Sequence, residues 1–262
     1  MAANTLKVTF LGTGTSQGVP PIGCTSEVCL STNPKDKRLR CSVHIEVCGK
    51  SIVIDAGPDF RHQMIRAGIN RIDALLFTHE HRDHTAGLDD IRPYNYLQED
   101  HLDVYCTRHI LNIFHKQYSY VFDEKTYPGI PLLRFHLIEN KPFEIHGIPI
   151  TPIEVMHFKL PVLGFRIGDF TYITDANYIA DHEWQKAAGS KHLVLNALRR
   201  ETHISHFTLD EALVQANKIG AEHTWFTHMS HQIGLHDEVN AELPINMQLA
   251  YDGQVLEMPF NA

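Results

Sequence analysis

The 262-residue sequence is 43% hydrophobic and 21% charged, with a formal net charge of −8, the balance of a globular chain long enough to bury a substantial core. The acidity argues against a protein that grips nucleic acid through a broad cationic surface, and no apolar run approaches the roughly 18–20 residues that a membrane helix needs. Five cysteines, an odd number, follow an N-terminus without a basic region and long apolar segment; this argues against a disulfide framework and leads to the expectation of a cytoplasmic protein.

Residues 6–11 alternate as a strand and run into Gly12-Thr13-Gly14. Residues 42–47 and 51–54 predict a hairpin turning at Cys48-Gly49-Lys50. Helical spacing over 60–67 stops at Gly68, and 74–77 is a fully apolar, buried strand. A strand at 104–106 leads to a helix over 108–118. Strands follow at 143–145, 148–155, 164–167 and 171–173, with turns at Gly147 and Gly168, and then a helix over 179–188. A strand at 193–196 precedes a helix over 208–219, where Thr208 and Glu211 form a capping box and Gly220 is the stop. Strands at 224–227 and 248–250 complete the series. A strand cluster, interspersed helices and a recurrence of that pattern predict two packed sheets flanked by helices, an α+β architecture in one domain over 1–262. A joint between the halves is expected near 155–160.

The chemistry concentrates directly after the 74–77 strand, in His79, His81, Asp83 and His84, spaced H-x-H-x-D-H. Imidazole and carboxylate together suit zinc, manganese or iron, and nineteen histidines in the chain point the same way. Four ligands on one short loop do not easily surround a single tetrahedral ion. They serve two ions if distant residues complete both shells. His157, Asp175 and His228 each stand after an apolar or β-rich run, as His79 does. A solvated loop accounts for one such histidine but poorly for a repeated placement.

With the "VIDAG" around Asp55, these motifs resemble the metallo-β-lactamase superfamily, in the family's order. The resemblance implies an αββα four-layer sandwich with a dinuclear site. In it His79, His81 and His157 bind the first ion, Asp83, His84 and His228 bind the second, and Asp175 bridges them. Asp55 orients a ligand histidine or the loop. An aspartate at 175, and His157 followed by Pro161 and Gly164-Phe165-Arg166, resemble the phosphodiesterase branch that includes tRNase Z. The opening from Gly18 to Cys29 and "THMSHQ" at 227–232 are similar to the PhnP-type cyclic-phosphate phosphodiesterases, of which the coenzyme PQQ protein B family is a neighbour.

That resemblance implies a metal-dependent hydrolase holding two divalent ions, Zn²⁺ and/or Mn²⁺. A hydroxide bridging them would attack a small, ribose-type cyclic phosphate or related phosphodiester. His206, just before the helix over 208–219, matches a general acid or phosphate contact, and that helix start offers N–H groups to an anion. Lys159, Arg199 and Arg200 are further candidates for phosphate. A tRNase Z-like 3′-processing endoribonuclease is the nearest alternative, disfavoured because no basic or glycine- and proline-rich arm is visible. A PQQ protein B-like metal-binding biosynthetic protein without turnover is the second. The PhnP-type pattern also carries a structural zinc on three cysteines and a histidine. Here those positions are Cys24, Ser26, Cys29 and His231; the hydroxyl is the poorer ligand, and Cys41 is a candidate replacement. The expected partner is a small-molecule phosphodiester, with neither nucleic acid nor membrane; a homodimer is compatible with this.

Overall fold

A computed structural model describes residues 5–123 and 129–260. In the first half, β1 (Thr5–Gly12), β2 (Ser42–Val47) and β3 (Lys50–Ile54) run antiparallel. Then β4 (Ala74–Leu76), β5 (Leu102–Cys106) and β6 (Leu133–Leu137) join in parallel. Cys48 and Gly49 make the two-residue turn between β2 and β3 with φ of 51° and 70°, the paired left-handed geometry that matches strand twist. The second half repeats the scheme. Strands β7 (Phe143–Ile145), β8 (Ile148–His157), β9 (Leu160–Ile167) and β10 (Phe170–Ile173) are antiparallel. They are followed by parallel β11 (His192–Asn196), β12 (His223–Thr227) and β13 (Met247–Leu249). The last strand, β14 (Val255–Pro259), returns to pair with β1. The sheet orders are β14-β1-β2-β3-β4-β5-β6 and β13-β12-β11-β10-β9-β8-β7.

Burial on both faces explains why the central strands are continuous apolar runs. Ile52, Ile54, Leu76 and Val194 enter the core between the sheets. Their neighbours Val53 and Leu75 face the helices on one side, and Leu193 and Leu195 those on the other. The helices Phe60–Ala67 and Arg108–Gln117 cover the first sheet through Phe60, Met64, Ile110 and Phe114. The helices Asp181–Ala187 and Leu209–Ile219 cover the second through Trp184, Leu209 and Ala212. These are the four αββα layers, and among the described residues no helix is long and apolar enough to cross a membrane.

The joint expected near 155–160 is instead the tight turn between β8 and β9, with Phe158 at φ 58°. The chain crosses between sheets after β6, ahead of β7. The helix expected over 179–188 begins only at Asp181, because Tyr178 is held in a bridge to Met156. Strands β6 and β14 escape a reading by apolar pattern: each is an edge strand, only partly buried. So does the polar helix His236–Glu242, which buries only His236 and Val239.

Candidate metal centre

Parallel register aligns the carboxyl ends of the central strands: Ile54 with Leu76, Ile173 with Leu195, Asn196 with Thr227. The residues just past those ends converge. Three of them, Asp55, Asp175 and His228, have φ of 65°, 53° and 59°, a left-handed conformation costly for residues other than glycine and concentrated at functional sites.

The H-x-H-x-D-H loop is sutured to the turn after β3. Ala56 N–H donates to the His84 carbonyl and Gly87 N–H to the Ala56 carbonyl, each at 2.8 Å. A Cβ at Gly57 would lie 2.0 Å from the Asp83 carbonyl oxygen, so the approach requires glycine. Asp55, fully buried, accepts from the Thr78 amide (2.9 Å), the Thr78 hydroxyl (2.8 Å) and His84 Nδ1 (2.7 Å).

These bonds set the tautomers. The Thr78 hydroxyl spends its proton on Asp55, so at 2.9 Å it accepts from His79 Nδ1–H. His84 Nδ1–H donates to Asp55, and His157 Nδ1–H donates to the Ser205 carbonyl at 2.8 Å. In His79 and His157 this leaves Nε2 with its lone pair, and His84 gains one there when it gives up its second proton. The Nε2 atoms of His79, His84 and His228 are buried without a hydrogen-bond partner. Asp175 faces them, its Oδ1 3.3 Å from both His84 and His228 Nε2 and its Oδ2 3.7 Å from His79 Nε2. Asp83 Oδ2 stands 3.3 Å from His84 Nε2 and 3.6 Å from His228 Nε2. Buried imidazole nitrogens and carboxylates aimed at one shared space fit divalent cations of the zinc or manganese type.

Three donor groups result, each with ligand atoms within 4.8 Å of one another: Asp83, His84, Asp175 and His228; His79, His81 and Asp175; His157, Asp175 and His206. Asp175 belongs to all three. His157 thus groups with His206, whose ring is 4.4 Å away, while the His81 ring is 5.1 Å away.

Burial pushes His79 well below its ordinary value, and the charge of His84 adds to this, keeping the imidazole neutral. Burial alone would raise Asp175 and Asp83; the surrounding imidazoles of His228 and His84 reverse that and hold both below the usual carboxylate range. Burial works against charge on His84, but Asp175, Asp83 and Asp55 outweigh it and raise this histidine. A cation held there would displace that proton, which would link metal uptake to deprotonation.

His206 is buried, with Nδ1 unpartnered and its ring stacked 4.7 Å from that of His228. Burial and the charge of His228 push it down to about 2. The helix start behind it is not open to an anion as expected. The Leu209 amide donates to the Arg199 carbonyl, and the capping box consumes the Thr208 and Glu211 amides. Arg199 and Arg200 are likewise engaged, with Gln232 and nearby carbonyls and with Glu242. Lys159 lines the mouth of the centre beside His81 and His157.

Ligand atoms of Cys24, Cys29 and His231 also lie within 4.8 Å of one another, with Ser26 Oγ 3.3 Å from Cys24 Sγ. Cys41 is not there. It lies buried beneath the centre, 3.1 Å from the hydroxyls of Tyr172 and Thr227. Sequence reasoning missed Thr78, Thr174, which donates to Asp175 at 2.5 Å, and Asn196, which clamps both backbone groups of Ala176 at 2.9 Å. Each is a polar residue ending or following a buried strand, the signal that found His79.

A profile of the beta-lactamase superfamily domain matches residues 50–229. The chain belongs to the metallo-β-lactamase superfamily. It is 38% identical to a solved diphosphatase of the PhnP family, covering 98% of each chain with a TM-score of 0.92, which places it in that family. It shares its fold with Zn²⁺-bound PqqB from Methylobacterium extorquens, at 18% identity over 95% of this chain and 99% of that one, TM-score 0.77. It is also 39% identical, over 95% of its length, to an octanoyltransferase of Porphyromonas gingivalis, and spans 51% of that relative. The chain thus carries a metal-dependent hydrolase domain of that superfamily, with the His/Asp cluster at its strand ends.

Proposed function

We propose that the protein is a dinuclear phosphodiesterase that hydrolyses a small, ribose-type cyclic phosphate or a related phosphodiester. The observation that carries this reading is Asp175, one carboxylate shared by three converging donor groups, the arrangement that holds two cations side by side. His79, His81 and His157 would hold one ion, Asp83, His84 and His228 the other, with Asp175 between. When bound, zinc or manganese supplies charge for the phosphoryl oxygens and a water that ionises near neutral pH.

The chain's own residues do the rest. Asp55 and Thr78 fix the loop and its tautomers, and Ser205 fixes His157. His206, neutral in the buried site, directs a ring nitrogen toward the same space and is placed to donate a hydrogen bond to a phosphoryl or leaving-group oxygen. Lys159 stands at the mouth as a cation for the incoming anion. Arg199 and Arg200, already partnered, drop out as phosphate contacts.

The 38%-identical diphosphatase supports a second reading within the same chemistry, cleavage of a P–O–P linkage. Octanoyl transfer has less support in the site. Cys41, the thiol beneath it, is capped by two hydroxyls, and burial pushes it up to about 11, leaving it a poor nucleophile. Turnover of bis-p-nitrophenyl phosphate, a ribose cyclic phosphate and an organic diphosphate diester by Mn²⁺- and Zn²⁺-loaded protein tests these readings. Inactivity on all three would refute the first two together. Tight, salt-sensitive tRNA binding would favour a processing nuclease instead.

A further inference from the structure

A cavity of about 600 Å³ adjoins the centre, bounded by residues 78–80 of the ligand loop, the first turn of the Arg108–Gln117 helix, the crossover at 137–140 and β9. Its apolar walls are Ile110, Leu137, Ile138, Leu160, Pro161 and Leu163. His79 lines it too, so it begins where the reacting group is held. Leu160 is common to this cavity and to the smaller one at the mouth, beside His81 and His157. An elongated molecule with its phosphate at the histidines would lay its body along Leu160. Its volume lies within the range of small-molecule sites.

Charge on the walls narrows the occupant. Glu80 pairs with His109 at 3.0 Å and Glu139 with Lys141 at 2.8 Å. Glu154 adds a carboxylate, and Arg108 is the one lining residue that is always cationic. A second phosphate would meet more carboxylates than cations, whereas an apolar body gains from every methylene it buries. Resting on the phosphodiesterase reading in its related-phosphodiester form, and not on a bare ribose cyclic phosphate, we infer that this cavity is the subsite for the non-reacting organic group of the substrate, and that this group is an alkyl, acyl or aryl body and not a polyanion.

The test is calorimetric binding of methyl-, butyl- and octylphosphonate to metal-loaded protein, beside turnover of methyl p-nitrophenyl phosphate. Kd is expected to fall about three- to fourfold per methylene until the chain fills the cavity. Leu137, 44% exposed, tolerates replacement; Leu137→Trp, which fills the space, and Leu137→Asp, which charges it, should each flatten the chain-length dependence. Equal Kd values across the series, or an unchanged slope in both variants, would overturn the assignment. Absence of turnover with a steep binding series would remove the hydrolytic reading and leave the subsite standing.

Discussion

Asp55 Oδ2 lies 2.7 Å from His84 Nδ1, with both side chains fully buried. The same carboxylate holds Thr78, which in turn orients His79. One residue outside the donor groups thus aims two that belong to them. Asp55→Ala should weaken metal affinity by about 10- to 100-fold, the usual cost of losing such a partner. Competition titration against a chromogenic chelator would check it, and wild-type affinity in the variant would strip Asp55 of this role.

His206 makes no hydrogen bond through Nδ1 and sits among His157, Asp175 and His228. If it serves the phosphate and not the cations, His206→Ala should keep both active-site metals while kcat drops about 10²- to 10⁴-fold. Elemental analysis alongside steady-state kinetics separates the roles. Loss of a metal equivalent would make His206 a ligand.

Much of this centre was legible because its residues follow one rule: a ligand type directly after a buried strand. His79, Asp175 and His228 obey it, and the two sheets repeat one strand scheme, so Asp55 and Asp175 follow corresponding strands, both with positive φ. What escaped depends on tertiary placement. Asn196 clamping Ala176, and Cys41 lying under Tyr172 and Thr227 rather than beside Cys24, are contacts between segments far apart in sequence. Edge strands β6 and β14 escaped because half-exposed strands carry little apolar signal.

At the second cluster, Cys24, Cys29 and His231 offer two sulfurs and a nitrogen, with Ser26 in the fourth position. Contacts with Cys29 and Ser26 lower the Cys24 thiol, whereas burial raises that of Cys29, so Cys24 is the sulfur nearer to the thiolate a zinc ion needs. Zinc analysis should find an equivalent that Cys24→Ser removes without emptying the active site. Ser26→Cys should tighten it, sulfur being the better ligand. An unchanged zinc content in Cys24→Ser would mean two reduced cysteines and no metal.

Glu183 ties the second sheet to its helix layer. It is 2% exposed and accepts from the Glu154 amide, Asn140 and Lys186, all at 2.8–2.9 Å. Burial raises its carboxyl, but the donors prevail and hold it below the ordinary value. The unfolded group titrates near ~4.3. With the folded value lower, the charged form contributes stability above that pH, and the contribution fades as pH falls through the folded value. Glu183→Gln should therefore cost about 1–3 kcal/mol at pH 7, since an amide NH₂ would face donors. In acid the gap to wild type should narrow as the wild-type carboxyl protonates. Urea unfolding of both proteins at pH 7 and at a pH below the folded value of this carboxyl measures this; an equal gap at both would show that the carboxylate charge is not what holds the helix to the sheet.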